Sequence, residues 1–149
     1  MRWFATRYFS INLIRLNQKA LNLSPETRVR QRLSTEEFNE LIIDSIQDIK
    51  GKNILKLDLR RLEDAPSDFF IICEGNSTTQ VKAIADRVYV KIKEEGGSLP
   101  VHFEGQQSAH WICLDYFDVV VHVFYPDTRK FYQLEDLWSD ALFTEYDNL

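Results

Sequence analysis

From Ser34 onward the apolar residues keep two different periods, and the places where the period changes mark out the elements. Ser34 and Glu37 have the spacing of a capping box, in which each side chain satisfies a backbone N–H at a helix start. Phe38, Leu41, Ile42, Ile46 and Ile49 then recur at helical intervals, and Gly51 can take the left-handed backbone that closes a helix. The pattern predicts a helix over 35–50. Leu55, Leu57 and Leu59 alternate with Lys56 and Asp58, the period of a half-buried strand. After a loop carrying Asp64, Pro66 and Ser67, the run Phe69 to Cys73 is apolar without a break. A strand with no polar face belongs in mid-sheet, covered on both sides.

Gly75 and Asn76 punctuate the chain before a second capping pair, Ser77 with Gln80. Val81, Ile84, Ala85, Val88 and Ile92 give the apolar stripe of a helix over 78–95, closed by Gly96 and Gly97. Strands follow at 100–104, 109–115 and 118–125. The link between the last two, Tyr116-Phe117, is a poor two-residue turn, because neither residue takes positive φ cheaply. Pro126 and Asp127 end the sheet, and short helices over 128–132 and 134–139 close the domain. The expected fold class is α/β: a single domain with a mixed five-stranded sheet flanked by helices.

Composition narrows the picture. A chain of 149 residues with 44% hydrophobic content supports one core. No uncharged apolar run approaches the roughly eighteen residues of a membrane span, so no membrane is expected as a partner. The net charge of −5 hides an asymmetry: residues 1–33 carry seven basic groups against Glu26, a net of +6, which leaves the rest at −11. A body so acidic grips phosphates poorly, which excludes sequence-specific nucleic-acid binding, and it suits a basic protein partner. Residues 1–33 interleave their charges with Trp3, Phe4, Tyr8 and Phe9 in the manner of a mitochondrial presequence. The preferred reading is a disordered extension outside the fold of a cytoplasmic protein, with mitochondrial import as the alternative. The expected organisation is then an extension over 1–33, a domain over 34–142 and a tail over 143–149.

Candidate chemistry is thin. Gly75-Asn76-Ser77 opens a helix after a strand and could face a phosphate, with Asp118 as a later carboxylate of a nucleotidyl-transfer site. Two-metal phosphoryl transfer needs paired carboxylates, yet Asp86 is the only acid between Ser77 and Glu94. Cys73 and Cys113 sit in apolar runs and read as buried, reduced thiols. A zinc site joining them to His102, His110 and His122 lacks any C-x-x-C or H-x-x-x-H spacing. No glycine elbow surrounds Cys113, so a nucleophile is unsupported. His110 alternates with Ile112 and Leu114 and is expected on their face of the strand. His122, inside an apolar run, is either a satisfied core histidine or an interface group. No catalytic residue, metal or cofactor is assigned. What stands out is the density of rings and acids between Glu104 and Trp138, the composition of a binding face.

The residues also carry a likeness. Asp68-Phe69-Phe70-Ile71-Ile72 is followed by Gly75-Asn76-Ser77, Gln80-Val81, Ala83-Ile84-Ala85 and Glu104-Gly105. Trp111 through Tyr116, Asp118 through Phe124, Arg129 with Phe131-Tyr132, and Leu134-Glu135-Asp136-Leu137-Trp138 come next. In this order, over about 35–142, they resemble the RsfS/Iojap family of ribosomal silencing factors. The resemblance implies a nucleotidyltransferase-like fold without the metal site. It also implies a non-enzyme that binds the large ribosomal subunit through its protein numbered fourteen, blocks joining of the small subunit and represses translation. Carried over by position, the partner surface comprises Trp111, Asp115, Tyr116, Asp118 and His122, with Tyr132, Glu135 and Trp138 close by. The resemblance leaves a homodimer of the free protein open. Many members have Gly where this chain has Phe117.

Overall fold

Helix α1 (Thr35–Asp48) starts at the expected box: the Ser34 hydroxyl accepts the Glu37 N–H at 3.2 Å, and Glu37 accepts the Ser34 N–H at 2.8 Å. The structure is a computed structural model and describes residues 32–149. The expected extension over 1–33 thus lies, except for its last two residues, outside the described residues. At the far end of α1 the left-handed residue is Lys50, at φ 59°, and not Gly51. Gly51 is needed for close approach instead, since a Cβ there would run into the Ile46 side chain.

Strand β1 (Lys52–Asp58) opens with a bulge at Asn53, φ 50°, which shifts the register. Ile54 therefore enters the core on the helix side, while Leu55 and Leu57 pair with Ile72 and Phe70. Strand β2 (Phe69–Glu74) is buried from Phe69 to Cys73. It lies in mid-sheet, as its unbroken apolar run requires. Helix α2 (Thr78–Glu94) is capped by Ser77, whose hydroxyl accepts the Gln80 N–H at 3.1 Å. The reciprocal half of the expected box is absent, because the Gln80 carboxamide accepts the Asn76 N–H instead.

Strands β3 (His102–Glu104), β4 (Trp111–Asp115) and β5 (Val119–Phe124) follow, each shorter than expected. Pro100 cannot donate to a ladder, and Ala109, at φ 54°, donates back to Gly105 and so belongs to a loop. Helix α3 (Pro126–Tyr132) begins two residues early, since proline suits the first helical turn. Gln133, at φ 45°, separates it from α4 (Leu134–Leu137).

Among the described residues the sheet has six strands, in the order β3-β4-β5-β2-β1-β6. The sixth, β6 (Leu142–Tyr146), corrects both the strand count and the tail assigned to 143–149. It pairs antiparallel with β1, from Leu142 opposite Asp58 to Tyr146 opposite Ile54. Among the described strands only β2 and β5 pair in parallel. Helices α1 and α2 cover one face, where Ile42, Ile46, Ile84 and Val88 meet Ile71, Val121 and Leu114 in the main core. Asp48 joins the two helices by ion pairs to Arg87 and Lys91, which hold its carboxyl below the usual range. The opposite face carries Phe70, His122 and Phe124 and is partly covered by α3 and α4, with Trp138 edge-on to Phe70 at 6.0 Å.

Candidate protein-binding face

Strand alternation sorts the residues of β4. Ile112 and Leu114 enter the helix-side core, so Trp111, Cys113 and Asp115 point to the opposite face. Across the ladder Trp111 stands opposite Phe124, Cys113 opposite His122, and Asp115 opposite Val120. Trp111 is half-buried, stacked on Phe124 at 4.8 Å and inclined to Tyr132 at the same distance. This brings two of the expected partner residues, from β4 and α3, onto one ring surface. Phe131 extends it: its ring meets Tyr132 edge-on at 5.1 Å and is 79% exposed.

His122 is fully buried, which decides between its two readings in favour of the core histidine. Its Nδ1 accepts the Trp111 indole N–H at 3.2 Å and lies 3.3 Å from Cys113 Sγ. Burial pushes its pKa down to about 3, so the ring is neutral and serves to hold Trp111. Cys73 is buried, and desolvation raises its thiol to about 12. Cys113 is only half-buried, contrary to expectation, because its side chain lies on this open face. His110 is exposed in the loop before β4 and stands edge-on to Tyr125 rather than sharing the face of Ile112.

Other expected members do different work. Asp115 is 3% exposed, and its Oδ1 accepts the Phe117 N–H at 2.8 Å. Phe117 takes φ 77°, and the Asp118 N–H donates to the Tyr116 carbonyl at 3.0 Å, closing a tight γ-turn. Asp115 thus supports a strained turn. Tyr116 turns to the helix side, edge-on to Phe38 at 5.5 Å, and burial raises its phenol pKa. Asp118 is exposed, but it lies at the opposite end of the β4–β5 hairpin from Trp111, roughly 15 Å away at the rise of a strand. Glu135 pairs with Arg129 at 2.6 Å instead of facing outward. Trp138 is half-buried and leans on Phe70. Leu137, 60% exposed, is a surface residue that sequence reasoning missed, while Phe131 was read only as one of the rings of the face and not as a partner residue. Seven- and four-residue helices are too short to show which side faces out.

The nucleotidyl-transfer geometry is dismantled by the topology. Gly75 to Ser77 follow the end of β2, whereas Asp118 precedes the start of β5, and the two strands are parallel. The first turn of α2 is also filled from within. Gln80 accepts the Asn76 N–H at 2.6 Å and donates to the carbonyls of Ile49 and Lys50. Among the described residues no three His, Cys, Asp or Glu side chains cluster so as to hold a metal ion. Nor is any described helix long and apolar enough to cross a membrane.

Comparison with known proteins agrees with this fold. The family described as ribosomal silencing factor during starvation matches residues 32–149. The ribosomal silencing factor RsfS of Halalkalibacterium halodurans is 39% identical over 109 residues, 73% of this chain and 92% of that one. A crystal structure of a Chromobacterium violaceum protein superposes with a TM-score of 0.68 at 41% identity, covering 72% of this chain and 88% of the other. Mouse mitochondrial assembly of ribosomal large subunit protein 1 is 33% identical over 76 residues, 49% of this chain and 33% of its own length. The chain therefore belongs to the RsfS family of ribosomal silencing factors.

Proposed function

We propose that the protein binds the large ribosomal subunit through that subunit's protein numbered fourteen, blocks association with the small subunit and thereby represses translation. The observation that carries this reading is the open ring surface of Trp111, Tyr132 and Phe131. Half-buried rings backed by a rigid sheet are the usual anchors of a protein interface, and an acidic body steers a basic partner onto them. Family membership and the words "ribosomal large subunit" in the mouse relative's name support the choice of partner. The protein acts as a binding module, not an enzyme: at the start of α2 Gln80 accepts the Asn76 N–H, and His122 is a buried neutral ring.

The test is sedimentation of the full chain with purified large subunits, followed by addition of small subunits. The expected result is co-sedimentation and a loss of joined particles in proportion to bound protein. Free passage of the chain past large subunits would overturn the proposal. The compartment follows that of the ribosome it meets. The cytoplasm is the primary assignment, with mitochondria as the alternative if the basic, ring-bearing residues 1–33 act as a presequence. Fractionation of cells expressing the full chain decides between them.

A further inference from the structure

Helices α3 and α4, with Trp138 just beyond, carry Phe131, Tyr132 and Leu137, yet α3 has no buried residue and α4 has only Leu134. Helices of seven and four residues have no stability of their own, so their placement must come from tertiary contacts. From α3 the side chain of Arg129, 13% exposed, reaches back to the sheet. Its Nε donates to Glu135 Oε1 of α4 at 2.6 Å. Its Nη1 donates to the Asn53 carbonyl at 2.7 Å and lies 3.3 Å from Glu74 Oε2, at the end of β2. Asn53 can offer that carbonyl because the bulge at φ 50° frees it from a regular ladder, and its own side-chain amide bonds Glu74 at 2.5 Å. One planar, permanently charged group thus ties α4 to β1 and β2 through charge-assisted bonds.

We propose that Arg129 is the positioning residue of the docking face: its guanidinium fixes 126–138 against the sheet so that the rings of α3 join Trp111 as one surface. The proposal rests on the reading of that surface as the ribosome-binding face. Arg129 acts through Glu135, Glu74 and Asn53 and does not itself touch the partner, since its charge is turned inward and largely covered.

The test uses the full chain with Arg129→Met, Arg129→Lys and Glu135→Gln, and two readouts. The first is amide hydrogen exchange of the free protein. Arg129→Met should raise exchange across 126–138 by about tenfold and leave β2 and β5 unchanged, because local opening is set by local contacts. Arg129→Lys, which can satisfy one acceptor at a time, should fall between. The second readout is large-subunit binding at two salt concentrations. Arg129→Met should weaken binding about tenfold while keeping the wild-type salt dependence, and Glu135→Gln should add little on top of it. Unchanged exchange over 126–138 would overturn the clamp. Faster exchange with wild-type binding would overturn its role in docking, and an altered salt dependence would make Arg129 a direct contact. Failure of the wild-type chain to bind subunits would sink the functional reading and the docking role together, while the exchange data would still decide the clamp.

Discussion

The indole N–H of Trp111 donates to Nδ1 of His122 across the β4–β5 ladder at 3.2 Å. The contact requires a lone pair on Nδ1, so it exists only while the imidazole is neutral. A central ring of the docking face is therefore tied to the protonation state of a buried residue.

The consequence for pH can be signed. Burial lowers the His122 pKa from 6.5 to about 3, so between these values the unfolded chain binds a proton that the folded chain does not. Stability from this group is complete above pH 6.5 and is lost as pH falls, at about 1.4 kcal/mol per unit, until the folded pKa is reached. Urea unfolding at pH 7, 6 and 5 should show this extra slope in wild type and not in His122→Asn. Equal slopes would mean that the imidazole is accessible to protons in the folded state.

Trp111 has both a structural and a docking role, and two substitutions separate them. Trp111→Phe keeps a ring against Phe124 and Tyr132 and removes the N–H, so it should cost about 1 kcal/mol of stability. Trp111→Ala should cost roughly 2–4 kcal/mol, below the full price of a buried tryptophan because the ring is half-exposed. Binding to large subunits should fall at least about tenfold in the alanine variant and much less in the phenylalanine one. Equal binding by both would place the docking surface elsewhere.

The main frame was legible because it rests on burial. The stripes of α1 and α2 and the unbroken run of β2 face the core, and burial writes itself into residue type. β6 was not legible: four of its five residues are exposed, and it is held by main-chain bonds to β1 that leave no mark on side chains. The binding face was half legible. Rings and acids between Glu104 and Trp138 showed that a face exists, but strand alternation and turn geometry then sent Tyr116 inward and gave Asp115 to its own turn.

Asp115 and Asp118, three residues apart, should behave oppositely. Asp115→Ala removes the acceptor for the Phe117 N–H and should cost about 1–2 kcal/mol of stability. Asp118→Asn keeps the backbone carbonyl that accepts the Asp68 and Phe69 N–H groups and should cost less stability than Asp115→Ala. If the partner's basic surface reaches that end of the hairpin, Asp118→Asn also lowers the salt dependence of binding. Thermal unfolding and salt-titrated sedimentation of the two variants check this. A destabilised Asp118→Asn with an intact Asp115→Ala would reverse the assignment.

Phe117 tests the turn itself. Alanine and glycine both remove the ring, but only glycine takes φ 77° without a Cβ penalty. Phe117→Gly should therefore be about 1 kcal/mol more stable than Phe117→Ala. Denaturant midpoints of the pair are the measurement, and an alanine variant at least as stable would show that the turn relaxes to negative φ.

The pairing of β1 with β6 also has a meaning in time. A growing chain makes Ile54 long before Tyr146, its partner across the ladder, so β1 leaves the ribosome with one edge open and must wait. Contacts this distant in sequence form late and slowly. During that interval the strand presents unpaired N–H and C=O groups to any other nascent chain nearby, which is the setting in which sheet edges are captured wrongly. Yield during synthesis should therefore depend on how quickly residues 142–146 are released, a kinetic liability that the equilibrium stability of the finished domain does not reveal.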